Sequence, residues 1–147
     1  MVLVGGNGWK NQELLKRISK LVSLGEVIHL GHVANADLPY IYAGAASCIF
    51  IPHYEGFGLP VLETMASGVP IVASHIAPIK EIVGKNQKML VDPDDIAVIS
   101  AKLNRTLTDT HWRDKMIAYG IARAKAFTWQ GCVDKTVSVY KRVMCTT

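Results

Sequence analysis

Short apolar segments alternate with longer amphipathic segments along almost the whole chain. The apolar segments are residues 2–4, 27–30, 48–51, 70–73 and 89–91. Each is too short for a buried helix and lacks the strict apolar–polar alternation of a strand with one exposed face. Runs of this kind are typical of parallel strands that are covered on both faces. The pattern therefore predicts five buried strands.

The segments between and after these strands have the periodicity and the end signals of helices. Helices are predicted at residues 12–24, 36–45, 59–67, 78–83, 94–108, 110–126 and 128–143. Pro60 suits the first turn of its helix, and Gly68 and Gly84 suit the C-terminal ends of theirs. Parallel strands need crossover connections of about this length. The sequence thus predicts an α/β fold, with a doubly wound parallel sheet of about five strands and a helical C-terminal tail.

The composition fits one packed domain over residues 1–147. Half of the residues are hydrophobic and 19% are charged, which argues against disorder. The net charge of +4 suits an anionic ligand, but no run of five basic residues occurs, so we expect no nucleic-acid partner. The three cysteines have no CxxC spacing, which disfavours a zinc ribbon and a disulfide framework. No apolar run approaches 18 residues, so we expect a cytoplasmic protein without a membrane-spanning helix.

Polar and glycine-rich loops follow the predicted strands. Ligands of open parallel sheets bind outside the carboxyl ends of the strands, and the loops at that edge are residues 5–8, 31–33, 52–58, 74–76 and 92–94. His53 and His75 lie in two of these loops. A metal site that combines them with Glu55 lacks second-shell support in the sequence, and we predict no metal.

Two glutamates frame the start of the helix that follows the third strand. Glu55 lies in a glycine-bearing turn, and Glu63 lies about one turn inside the helix. The free N–H groups around residues 58–61 would form a phosphate site. Ionised glutamates only accept hydrogen bonds, so their partners would be hydroxyl groups. A ligand that carries both phosphates and hydroxyls is a sugar nucleotide. Two simpler interpretations stay open. Glu63 needs no ligand if its charge is merely stabilised by the helix dipole, by about 0.3–1 kcal/mol, and Glu55 is a solvated turn residue.

The segment YEGFGLPVLETMASGVPIV, with seven residues between its glutamates, resembles the signature of the retaining group-one (family four) glycosyltransferases of GT-B fold. The segments LVGGNGWKNQELL, VIHLGHVANADLPYIYAGA, EIVG, MLVDPDD and AKAFTWQ also resemble successive parts of the donor-binding half. The resemblance covers essentially the whole chain and implies a Rossmann-like C-terminal donor-binding domain. It also implies that an N-terminal acceptor domain and the first strand of the donor domain are missing, so we expect the isolated chain to be inactive.

The resemblance assigns roles to the residues of the motif. Glu55 would contact the donor sugar near the reacting carbon, and Glu63 would hold the ribose hydroxyls. The backbone at Gly56, Phe57, Gly58 and Leu59 would contact the sugar and the diphosphate, and Gly31, His32 and Val33 would lie along the nucleobase. The family transfers a hexosyl group with retained configuration and without a metal. No cofactor is implied beyond the substrate, a nucleotide sugar such as GDP-mannose or a UDP-hexose.

The implied activity is mannosyl or glucosyl transfer to a glycan or lipid acceptor, as in polysaccharide biosynthesis. Two alternatives stay open, an isolated nucleotide-sugar-binding module without catalysis and a sugar-nucleotide epimerase on the same fold. We expect Trp112 and Trp129 to pack within the helical tail. The apolar face of the last helix is expected to be exposed and to favour self-association; it comprises Val133, Val137, Tyr140 and Val143. Peripheral contact with the inner face of the membrane is left open.

Overall fold

The computed structural model describes residues 1–145, which form two compact units, Met1–Ile41 and a second unit that begins at Tyr42. The first unit contains strand β1 (Val2–Leu3), helix α1 (Gln12–Ser23), strand β2 (Ile28–His29) and the beginning of helix α2 (Leu38–Ala43). The two strands pair in parallel, with Val2 opposite Ile28. Residues 35–37 form a turn before α2, in which the amides of Asp37 and Leu38 both donate to the carbonyl of Ala34. This turn shortens α2 relative to the predicted helix.

The second unit contains a three-stranded parallel sheet and five helices within its described residues. Its strands are β3 (Cys48–Phe50), β4 (Ile71–Ser74) and β5 (Leu90–Val91), in the order β3-β4-β5. Its helices are α3 (Leu59–Ala66), α4 (Ala77–Val83), α5 (Ile96–Thr108), α6 (Thr110–Ala124) and α7 (Trp129–Met144). The α/β fold and its parallel pairing are confirmed. The five predicted strands divide into two hydrogen-bonded sheets rather than one, and β1, β2 and β5 have only two residues each.

The predicted helix signals are confirmed at both ends of α3 and at the end of α4. Pro60 lies in the first turn of α3. Gly68 and Gly84 adopt positive φ angles of 71° and 70° directly after their helices, the conformation in which a residue without Cβ is favoured. The N-cap residue of α6 is Asp109, whose carboxylate accepts a hydrogen bond from the Trp112 amide at 2.9 Å. These local signals fix where the crossover helices start and stop.

The core of the second unit lies between the sheet and helices α3, α4 and α6. Its fully buried side chains include Met65, Ile71, Ile79, Ile82 and Met89. Helix α6 approaches α3 closely at Gly120, where an added Cβ would come within 3.4 Å of Met65. The core therefore holds α3, the helix that carries the predicted motif, against the sheet and against α6.

Helix α7 contributes no buried residue to the unit. Trp112 is 7% exposed, as predicted, but Trp129 is 80% exposed, so the prediction that it packs is wrong. Trp129 is the first residue of α7, which buries none of its residues. The expected exposure of the apolar α7 face is confirmed at Val133 and Tyr140, which are 53% and 64% exposed. No helix of residues 1–145 has both the length and the apolar character to cross a bilayer.

Candidate functional site

The start of α3 is built on a glycine that no other residue could replace without strain. Gly58 is the N-cap residue, with φ 106° and ψ 44°. A Cβ at this position would lie 3.3 Å from Ile82 Cδ1 and 3.4 Å from Ile79 Cγ1. Both the backbone conformation and the close contact with α4 thus require glycine. Because Gly58 has no side chain, the loop after β3 can pack directly against α4.

The first turn of α3 presents backbone donors at the carboxyl edge of the sheet. The amides of Val61 and Leu62 both donate to the carbonyl of Gly58, at 3.0 and 3.3 Å. Pro60 has no N–H, and the amides of Gly58 and Leu59 donate to no carbonyl or side chain of residues 1–145. Unpaired amides at the positive end of a helix dipole favour anions, including phosphate. The binding of phosphate at this turn stays a prediction.

Glu55 is half-buried and its carboxylate folds back on its own loop. Its Oε1 accepts hydrogen bonds from the amides of Gly56, at 3.1 Å, and Phe57, at 3.5 Å. Both hydrogen bonds are exposed and lie within the turn itself, so the interpretation of Glu55 as a turn residue stays open beside a contact with the donor sugar. One carboxylate oxygen is engaged by the loop, so the conformation of residues 55–57 sets where the other oxygen points.

Glu63 is also half-buried and has a partner that sequence reasoning missed. The hydroxyl of Tyr42 donates to Glu63 Oε2 at 3.0 Å. Burial, and next the hydrogen bond to the Glu63 carboxylate, raise the pKa of Tyr42 well above its ordinary value. The Tyr42 hydroxyl therefore acts as the donor in this hydrogen bond. A carboxylate offers about four acceptor positions, so Glu63 retains acceptors for the hydroxyls of a ligand.

The remaining predicted site residues lie in the first unit. Gly31 has φ 65°, and its carbonyl accepts the Gly5 amide at 2.8 Å, which continues the β1–β2 pairing. His32 is exposed and Val33 is half-buried. Their contact with a nucleobase stays a prediction. In the second unit Glu55, Gly56, Phe57, Gly58, Leu59 and Glu63 occupy one continuous turn and the helix that follows it.

The two histidines at the carboxyl edge of the sheet lie beside different residues, His53 beside Asp94 and His75 beside Gln87. His53 Nε2 lies 3.8 Å from Asp94 Oδ1, and both side chains are largely exposed. His75 Nε2 is 3.1 Å from Gln87 Oε1. Within residues 1–145 no group of three or more His, Cys, Asp or Glu side chains has the geometry to hold a metal ion. His53 and Asp94 are neighbours, and they lie in the loops after β3 and β5.

The chain is similar in sequence to known glycosyltransferases. Residues 1–123 match the family model described as glycosyl transferases group 1. The chain is 39% identical over 141 residues to the O-antigen chain mannosyltransferase B of Escherichia coli, across 96% of this chain and 37% of that protein.

Two solved structures have the same fold over nearly the whole chain. Sucrose-phosphate synthase from Thermosynechococcus elongatus has a TM-score of 0.85 at 24% identity, over 99% of this chain and 39% of that one. Anabaena HepE, solved with UDP, has a TM-score of 0.75 at 21% identity, over 97% of this chain and 40% of that one. The chain spans well under half the length of each of these three proteins.

Proposed function

Since this chain belongs to the group 1 glycosyltransferase family, we propose that it is the donor-binding part of a retaining, nucleotide-sugar-dependent mannosyltransferase. The observation that carries the proposal is the turn at residues 55–63. Open amides at the start of α3 lie in one continuous segment with two half-buried carboxylates. Phosphates suit the amides and sugar hydroxyls suit the carboxylates.

Different residues of this segment would bind the diphosphate, the ribose and the sugar of the donor. The amides of Gly58 and Leu59 take the diphosphate, where the α3 dipole stabilises its charge. Glu63 accepts hydrogen bonds from the ribose hydroxyls, and Tyr42 holds that carboxylate in place from its other side. Glu55 contacts the donor sugar, with one oxygen held by the amides of its own loop. The nucleotide sugar is the only small molecule that the proposed reaction requires besides the acceptor.

Transfer with retention follows from a front-face geometry. The bond between the anomeric carbon and the diphosphate oxygen breaks, and the acceptor oxygen bonds to the same face of that carbon. The proton of the acceptor hydroxyl passes to the departing diphosphate. Glu55 is then a positioning and electrostatic group that stabilises positive charge on the sugar ring in the transition state. It does not need to act as a general base.

Mannose is favoured as the transferred sugar by the 39% identity to a mannosyltransferase, whose name also indicates a glycan acceptor. The corresponding donor is GDP-mannose, with UDP-hexoses as the comparison. The acceptor would be a glycan or a lipid-linked glycan. The relation covers 37% of that relative.

A thermal-shift screen tests the binding half of the proposal. The ligands are GDP, UDP and ADP, each with and without its sugar. A ligand that binds only the folded state stabilises it by about 2.7 kcal/mol at a hundredfold excess over Kd. We expect stabilisation by GDP and by GDP-mannose, and less by ADP. Unchanged melting curves with every nucleotide at millimolar concentration would contradict the proposal.

A further inference from the structure

The loop that carries Glu55 is in contact with an aromatic ring from a distant part of the second unit. The rings of Phe57 and Phe127 have centroids 6.2 Å apart and planes at 75°. This edge-to-face arrangement is one of the favourable geometries of aromatic pairs. Phe57 lies two residues after Glu55, and Phe127 lies in the turn between α6 and α7. The pair links the candidate site to the end of α6.

Phe127 is itself held by a well-bonded support. The Arg123 guanidinium carbon lies 4.8 Å from the centroid of the Phe127 ring. The same guanidinium donates to the carbonyl of Ile82 at 2.8 Å and to the carbonyl of Glu81 at 2.7 Å. The Phe127 amide donates to the carbonyl of Ala124 at 3.0 Å. Arg123 thereby connects the Phe127 ring to the last turn of α4.

Helix α4 also contacts the Glu55 loop directly, at Gly58. Ile79 and Ile82 are the side chains that approach Gly58. The loop therefore rests on two connected supports, Gly58 on α4 and Phe57 on Phe127. Between these two points the amide of Phe57 donates to the Glu55 carboxylate. A displacement of Phe57 would move that donor and with it the carboxylate.

We propose that Phe127 is a positioning residue for Glu55, acting through Phe57, which sets the orientation of the carboxylate toward the donor sugar. The inference rests on the proposed function of the site. Phe127 does not touch the donor. Because Phe57 is 46% exposed and its loop contains two glycines, the contact with Phe127 restricts a segment whose backbone is intrinsically flexible.

Calorimetric titration separates this role from a general contribution to stability. The wild-type chain and the Phe127→Ala variant are titrated with GDP, GDP-mannose, UDP and UDP-glucose. We expect Phe127→Ala to lower the affinity for the sugar nucleotide roughly 2- to 12-fold, the range that an aromatic pair energy implies. The affinity for GDP and UDP should stay unchanged, because these nucleotides are proposed to bind at the amides of Gly58 and Leu59 and at Glu63. Phe127→Tyr, which retains the ring, restores the wild-type difference.

Two further variants sharpen the result. Trp129→Ala removes a neighbouring ring that is 80% exposed, and it should leave both affinities unchanged. Adding Phe127→Ala to Phe57→Ala should cost no further sugar-nucleotide affinity, because the two rings act as one unit. Equal losses for the diphosphate and the sugar nucleotide in Phe127→Ala would overturn the proposal. An additive loss in the double variant would overturn it as well.

A ligand-free measurement keeps the inference testable if the proposed function fails. Nitrogen-15 relaxation of the wild-type chain should give order parameters near 0.85 for the amides of Gly56 and Phe57, the value of rigid backbone. In Phe127→Ala we expect them to fall toward 0.6, while core amides such as that of Val72 keep their values. Unchanged order parameters would overturn the positioning role. Failure of every nucleotide to bind the wild-type chain would overturn the proposed function, and the relaxation data would then decide the role of Phe127.

Discussion

The two units of the chain differ in how their apolar residues are used. Within Met1–Ile41, Val27 is the one fully buried hydrophobic side chain, and α1 has no buried residue although its apolar side chains share a face. The second unit buries a continuous cluster that includes Met65, Ile71 and Ile79. An amphipathic pattern thus predicts a helix in both units but does not by itself predict burial, because α1 and α7 bury no residue whereas α3 does. Both glutamates of the candidate site lie in the unit with the dense core.

The largest expected difference between the units is the response to truncation of an apolar helix residue. Met65→Ala removes a side chain that is 1% exposed and packs against Gly120, and it should destabilise the fold by about 2–5 kcal/mol. Leu14→Ala in α1 removes a side chain that is 54% exposed and should change stability by no more than about 0.5 kcal/mol. Denaturant unfolding measures both values. Comparable losses would show that the first unit depends on its helix as much as the second does.

Two glycines with positive φ give the next contrast. Gly58→Ala combines backbone strain of about 1–3 kcal/mol with crowding against Ile79 and Ile82. Gly31→Ala, at φ 65° and with no atom within 4 Å of its added Cβ, has strain alone, about 1–2 kcal/mol. The unfolding free energies of the two variants should therefore differ in this order. A smaller loss for Gly58→Ala would show that α4 yields easily and that the loop is not held as described.

The two units should also differ in how a glutamate near the start of a helix affects nucleotide affinity. Glu63→Gln should weaken GDP binding by roughly 1.5–3 kcal/mol, the range for a hydrogen bond to a charged group. Glu55→Gln should leave the affinity for GDP unchanged and lower that for GDP-mannose, because Glu55 is expected to contact only the sugar. The control is Glu13→Gln, which alters an acid in the first turn of α1. Calorimetric titration decides the assignment, and equal losses at Glu55 and Glu63 would count against it.

The sequence predicts local structure in both units better than it predicts contacts between distant segments. Short apolar runs and capping residues place every strand and helix within about three residues, because these signals act within one or two turns. The open amides at the start of α3, where we propose that phosphate binds, are likewise a local property of Gly58 and Pro60. The exposure of Trp129 could not be predicted, since the apolar face of a helix does not indicate what covers it.

Sequence reasoning also missed two long-range contacts of the candidate site, that of Tyr42 with Glu63 and that of Phe57 with Phe127. Tyr42 lies 21 positions before Glu63, and Phe127 follows α6 while Phe57 precedes α3. No spacing rule relates residues so far apart, because the fold alone brings them together. The division of five strands between two sheets has the same cause, since strand pairing over long separations is not encoded in local pattern.

The smallest expected effect concerns two tyrosines on one helix, α2, on either side of the boundary between the units. Tyr42→Phe removes the hydroxyl that donates to Glu63 Oε2 at 3.0 Å, and it should destabilise the fold by about 0.5–1.5 kcal/mol. GDP affinity should fall a few-fold, because the Glu63 carboxylate loses the group that fixes its orientation toward the ribose. Tyr40→Phe removes the same atom from a side chain that is 79% exposed and should change neither quantity. Unfolding and titration of both variants check this directly. An unchanged GDP affinity in Tyr42→Phe, with the loss in stability present, would show that Glu63 orients itself without Tyr42 and that the tyrosine serves the fold alone.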